Sequence, residues 1–262
     1  MRRSIVSSGP ELSYEILALG PWERERVGVA LAPPFEVPDE HRGLVEREWL
    51  AAREVAARSG QRLFNGPVAG LASFRPGERL ELALHATDYR SFVGTNLSAR
   101  YRATGIPCAD ALGISIVIEL EGRRVLLHRR GRASFEWPLA IDTPGGHIEP
   151  EAHREGGAPS PFLAALDELE GELGVRADEV ASLSVLGLAR IVETRKPQVV
   201  IRARVLAPFE EIRSRVAAAR ESFETSEVLE PVPVEELRVL ASSPERITPA
   251  GRAAIEIARR LL

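Results

Sequence analysis

Apolar positions along this chain follow two rhythms, and the changes between them mark its elements. Alternation over Glu11 to Leu19 and over Val27 to Leu31 predicts two strands separated by a Gly20-Pro21 turn. Asp39 suits the cap of a helix reaching about Ser59, in which Val45, Trp49, Ala52 and Ala56 form one buried stripe. Arg62 to Phe74 and Arg79 to Ala86, joined by Arg75-Pro76-Gly77-Glu78, read as a hairpin. Between residues 88 and 110, Gly94, Gly105 and Pro107 interrupt any regular pattern. Beyond them, Gly113 to Leu120 and Arg123 to Arg129 predict a second hairpin over Glu121-Gly122, and Leu183 to Val192 with Gln198 to Leu206 a third. Helices are expected at about 208–220, 233–240 and 248–262, the last capped by Thr248 with Pro249 in its first turn.

One further helix carries chemistry. Ser160 can cap it, Pro161 suits its first position and Gly174 the residue past its end, so it spans roughly 161–173. Phe162, Leu166, Leu169 and Leu173 recur on one buried stripe, while Glu168 and Glu172 lie one turn apart on a neighbouring face. Two carboxylates at that spacing repel unless a cation lies between them, and hard oxygen donors suit Mg2+ or Mn2+. A merely solvated acidic face is the alternative. Gly171, inside the same helix, costs on the order of 1 kcal/mol relative to Ala.

Composition narrows the partners. With 262 residues, 44% hydrophobic and 27% charged, the chain is long enough for one large or two modest globular domains. A net charge of -4 provides no basic field for a nucleic-acid backbone. Arg supplies nearly all the positive charge, and Lys196 is the only lysine. The single Cys108 excludes an internal disulfide and a cysteine-based zinc site. No stretch reaches the roughly 18 apolar residues of a membrane span, and no hydrophobic core follows Met1-Arg2-Arg3. A cytoplasmic protein is expected.

Pro144-Gly145-Gly146-His147-Ile148-Glu149-Pro150, followed by Leu166-Asp167-Glu168-Leu169-Glu170-Gly171-Glu172-Leu173-Gly174-Val175, resembles a divergent Nudix box. Thr87-Asp88-Tyr89-Arg90-Ser91-Phe92-Val93-Gly94-Thr95-Asn96, Val125-Leu126-Leu127-His128-Arg129-Arg130 and the long insertion inside the box resemble the UDP-glucose/UDP-galactose pyrophosphatase branch of the Nudix hydrolases. The resemblance implies a Nudix-type α/β/α sandwich with an additional N-terminal α+β domain: residues 1–88, a connecting segment at 89–110 and a Nudix domain at 111–262. It implies Mg2+-dependent cleavage of UDP-glucose or UDP-galactose to UMP and hexose 1-phosphate, with Glu168 and Glu172 as metal ligands. The box departs from its pattern at Asp167, where Arg is usual, and at Gly171, where an acid is usual. Glu149, Glu193, Glu224 and Glu227 are candidates to replace the missing acid, with Glu224 preferred as the loop acid that orients water. Gly145 and Gly146 would let backbone approach the phosphates, and His147 could donate to one. Tyr89 could stack on uracil, Arg90 could meet a phosphate and Asn96 could read a pyrimidine edge, or the segment could be a structural corner. Arg129 or Arg130 could face the diphosphate. Two other readings stand beside this one: a weakened domain that binds a nucleotide sugar as a sensor, and a Nudix pyrophosphatase acting on ADP-ribose, NADH or coenzyme A.

Overall fold

A computed structural model describes residues 14–241 and 246–262. Glu11, where alternation begins, and the Met1-Arg2-Arg3 stretch lie outside them. The first half contains β1 (Tyr14–Glu23), β2 (Val27–Leu31), α1 (Asp39–Ser59), β3 (Pro67–Pro76), β4 (Leu80–Asp88), α2 (Tyr89–Phe92), α3 (Ala99–Arg102) and β5 (Gly113–Leu120). Then come β6 (Arg124–Leu126), β7 (His128–Arg130), β8 (Ile141–Asp142), β9 (Arg154–Glu155), β10 (Ala158–Pro159) and α4 (Pro161–Leu173). The remainder is β11 (Val180–Ile191), β12 (Pro197–Val205), α5 (Phe209–Arg215), β13 (Thr225–Val228), β14 (Val232–Pro233), α6 (Leu237–Ala241) and α7 (Pro249–Leu261).

The central sheet runs β1-β11-β12-β5-β6-β14, with β5 parallel to β12 and the other pairs antiparallel. All eight residues of β5 are buried, as a strand covered on both faces must be. Ile114, Ile116 and Ile118 join one core with Phe162, Leu169 and Leu173 of α4. Val117 points the other way, into a core shared with Ala254, Ile255 and Ile257 of α7. A strand's two-residue period thus separates α4 from α7 and builds the expected sandwich. Each fully buried Leu or Ile contributes about 1.5–3 kcal/mol to this packing. Caps fix both helices: Ser160 Oγ accepts from Leu163 N at 3.3 Å, and Thr248 Oγ1 from Gly251 N at 2.8 Å. Among the described residues no helix is long and apolar enough to cross a membrane.

Several expectations change in detail. Gly20 and Pro21 do not turn the chain; β1 passes through them with a register shift between Leu19 and Trp22. Pro38, not Asp39, occupies the cap position of α1. The second hairpin divides at Leu127, because β6 pairs with β5 while β7 pairs with β8 and β13 in a separate three-stranded sheet. That switch directs the end of β7 toward α4. The segment assigned to an N-terminal unit also enters the centre of the molecule. β1 edges the central sheet through β11, and Leu80, Leu82 and Leu84 of the β2-β4-β3 sheet share the core of Ile116.

Candidate active site

The loop between β8 and β9 lies along the backbone of β5, where Ile114 N donates to Gly146 O and Ile116 N to Pro144 O, both at 2.8 Å. Gly145 has φ +153°, and a Cβ there would collide with the Ile114 carbonyl, so the close approach needs glycine. A Cβ on Gly146 would collide with Oε1 of Glu168. The two glycines therefore seat the loop against the strand on one side and against the first carboxylate on the other.

Glu168 lines a cavity of about 490 Å3, together with Gly145, Gly146, Glu221 and Glu224. Burial, with Glu221, Glu224 and Asp167 adding repulsion, pushes its carboxyl up to about 8. Glu172, one turn further on, is fully buried behind the cavity surface. The alternative of a merely solvated acidic face therefore does not hold for Glu172. Burial and then Glu168 and Glu224 drive the Glu172 carboxyl well above the ordinary range. The Gly145 amide acts in the opposite sense, yet neither oxygen has a hydrogen bond of normal geometry. Its nearest basic group, His128 Nδ1, stands 3.7 Å away and bonds Thr225 Oγ1 at 2.7 Å. Burial, reinforced by Arg130, lowers that imidazole to about 3, so it is neutral and gives Glu172 no counter-charge at pH 7.

Basic groups reach the same cavity from β7 and from the turn ahead of β12. Arg130 lines it, with Nη1 3.6 Å from Asp142 and Nε donating to Glu136 O at 3.0 Å. Lys196 Nζ donates to Glu136 Oε1 at 3.0 Å and lies 5.0 Å from the Phe92 ring centroid. Tyr89 Oη donates to the same Glu136 oxygen at 3.0 Å. Burial alone would raise the Glu136 carboxyl, but Lys196, His147 and Arg130 hold it at about 2. His147 stacks edge-on to Tyr89 at 5.5 Å, and burial with Lys196 nearby lowers it to about 3. A neutral imidazole is thus held against an aromatic wall.

The structure divides the residues singled out in the sequence. Glu168, Glu224, Tyr89, Gly145, Gly146 and His147 share the cavity wall. Asn96 does not: it is fully buried, donates to Asp110 Oδ1 at 2.8 Å and Thr194 O at 3.0 Å, and accepts from Asp110 N at 2.8 Å. Its paired donor and acceptor close a structural corner and cannot read a base. Arg90 is exposed on salt bridges to Glu46 and Asp88, at 3.5 and 3.8 Å. Arg129 pairs with Glu227 at 3.2 Å, and neither lines the cavity; strand alternation sends Arg130 inward instead. Glu149 and Glu193 do line it. Sequence reasoning missed Glu136, Asp142 and Glu221, and treated Lys196 only as a compositional oddity. A sole lysine in an arginine-rich chain was the available signal for that last residue.

The donor set suits a hard cation: two carboxylates one helical turn apart, one of them buried with both oxygens unpartnered. Among the described residues no group of three or more His, Cys, Asp or Glu side chains is drawn together closely enough to grip one. Glu168 and Glu172 are the residues that would hold such an ion.

An acidic helix preceded by a Gly-Gly loop thus lies on one face of a mixed sheet. Residues 110–253, more than half of the chain, match the NUDIX domain, and the chain belongs to the Nudix hydrolase family. It is 28% identical over 209 residues to uridine diphosphate glucose pyrophosphatase NUDT22 of Mus musculus, covering 69% of this chain and 67% of that one. The Homo sapiens protein of the same name is 30% identical over 152 residues, 49% of this chain and half of that one. Nudix hydrolase 9 of Arabidopsis thaliana is 26% identical over 188 residues, covering 62% of this chain and 60% of that protein. Among solved structures, DR0079 from Deinococcus radiodurans aligns over 57% of this chain and 82% of its own, with 19% identity and a TM-score of 0.41.

Proposed function

We propose that the protein hydrolyses the pyrophosphate bond of a nucleotide sugar, UDP-glucose or UDP-galactose, to UMP and hexose 1-phosphate. The observation that carries this reading is one cavity in which the acidic edge of α4 meets Arg130 and Lys196. Its volume, about 490 Å3, lies within the range of small-molecule sites. When bound by Glu168 and Glu172, Mg2+ or Mn2+ would neutralise phosphoryl charge and make water acidic enough to attack near neutral pH. Arg130 and Lys196 take the non-bridging phosphate oxygens, the guanidinium by two parallel bonds and the ammonium as a point charge. Glu224, which burial raises above its ordinary value, accepts the proton of the attacking water. The oxygen of water bonds to one phosphorus as the bridging P–O bond breaks, and the other phosphate leaves with the bridging oxygen. Tyr89 and His147 offer the apolar wall for base or sugar, a role supported by their stacking and by their place in the cavity. The names of the mouse and human relatives favour a UDP-sugar over ADP-ribose, NADH or coenzyme A.

A panel of nucleoside diphosphate compounds, assayed with and without Mg2+, tests the reading. UDP-hexoses should turn over fastest. Binding of UDP-glucose without turnover of any compound would leave a sensor in place of an enzyme.

A further inference from the structure

We infer that Glu221, delivered by the loop between α5 and β13, stands in for the acid that α4 lacks at Gly171. The inference rests on the metal-dependent reading above and assigns that site a carboxylate from outside its motif.

The glycine is a docking notch. Glu221 N donates to Gly171 O at 2.8 Å, which lays the loop directly on the helix backbone. A Cβ built on Gly171 would come within 2.8 Å of Arg220 Nη2 and 3.2 Å of the Glu221 carboxylate. The volume that a helical side chain would occupy is therefore filled by the loop's own side chains. Three residues on, the loop is tied a second time: Gly131 N bonds Glu224 O at 2.6 Å, and a Cβ on Gly131 would collide with Phe223 O. Two glycines, one inside α4 and one just after β7, thus seat the segment that carries Glu221 and Glu224.

Glu221 lines the same cavity as Glu168. Arg220 now bridges Glu221 and Asp167, with 3.0 Å to each. Asp167 sits where the Nudix pattern has Arg, and Arg220 of the loop stands opposite it. The independent sign that a cation belongs here is Glu172, fully buried with both carboxylate oxygens unpartnered. Under this account Gly171 is not a loss of function. It is the space through which an acid from another part of the chain reaches the site.

The test is Mn2+ affinity, read by electron paramagnetic resonance of free Mn2+ on substrate-free protein, with melting temperatures confirming that each variant folds. Ligand charge sets cation affinity, so Glu221→Ala should weaken Mn2+ binding by at least about tenfold. Adding Gly171→Glu to it places a carboxylate in the vacated volume and should restore affinity to within roughly threefold of the parent, a coupling that only neighbouring groups show. Glu170→Gln, on the exposed side of the same helix, should bind as the parent does. Parental affinity in Glu221→Ala, or a double variant that stays as weak as the single one, overturns the inference. A parent that binds no Mn2+ sinks the metal-dependent reading itself, a distinct outcome.

Discussion

A carboxyl group sealed beneath a helix, without a hydrogen bond and 3.7 Å from a neutral imidazole, is costly to leave charged. Glu172 is in that position. Glu172→Gln exchanges a buried acid for a neutral group of the same shape, so the metal-free melting temperature should stay level or rise, while the rise produced by added Mg2+ disappears. Thermal melts across a Mg2+ titration check this; a metal-free loss of several degrees with the Mg2+ response intact would contradict it. Asn96 behaves in the opposite way. Its side chain satisfies both the amide and the carboxylate of Asp110, so Asn96→Ala should cost about 1–3 kcal/mol in urea unfolding and leave the KM for any UDP-sugar unchanged. These two residues mark what a sequence can and cannot reveal. The one-turn spacing of Glu168 and Glu172 follows from helical geometry and was legible. The partners of Asn96, 14 residues away at Asp110 and 98 away at Thr194, are set by tertiary packing and were not.

At the scale of elements, the capped helices were the most legible parts, because Ser160-Pro161 with Gly174 and Thr248-Pro249 carry local chemistry that acts wherever the helix lies. Junctions were the least legible: β7 leaves the sheet of β6 at a single residue, and the loop holding Glu221 is seated on Gly171 of α4 and on Gly131 just after β7. The contact between Glu136, ahead of β8, and Lys196, ahead of β12, is another junction, and it gives a pH prediction. Glu136 is held at about 2, below its ordinary value of 4.5. Its contribution to stability is therefore fully present above about 4.5 and is lost as pH falls toward 2. The stability advantage of the parent over Glu136→Gln should be on the order of 2–3 kcal/mol at pH 6 and should shrink steadily toward pH 3. Chemical denaturation of both proteins across that range measures it; a difference independent of pH would mean that the Lys196 contact does not hold the carboxylate in solution.

Across the whole molecule, the sandwich was readable from strand and helix periods, but the depth to which the N-terminal segment enters it was not. Alternation says that residues 14–23 form a strand and is silent about its neighbour. That neighbour is β11 of the central sheet, with Tyr14 opposite Ile191, and Leu80, Leu82 and Leu84 bury themselves in the core that α4 covers. A protein beginning at residue 89 should therefore expose an edge strand and part of a core, and should melt well below the full chain or aggregate. Calorimetry on the two proteins decides; equal melting temperatures would make residues 14–88 an independent unit.

In the proposed reaction the carboxylates of α4 surround the pyrophosphate together with Arg130 of β7 and Lys196 ahead of β12. Phosphorus-31 NMR of the parent protein with UDP-glucose tests it most directly. With Mg2+ the diphosphate resonances should give way to those of UMP and glucose 1-phosphate in equal amounts. A chelator should stop the conversion, and Glu168→Gln should slow it by at least about a hundredfold. Diphosphate resonances that persist unchanged at saturating Mg2+, while the same sample shows UDP-glucose bound, would contradict the account.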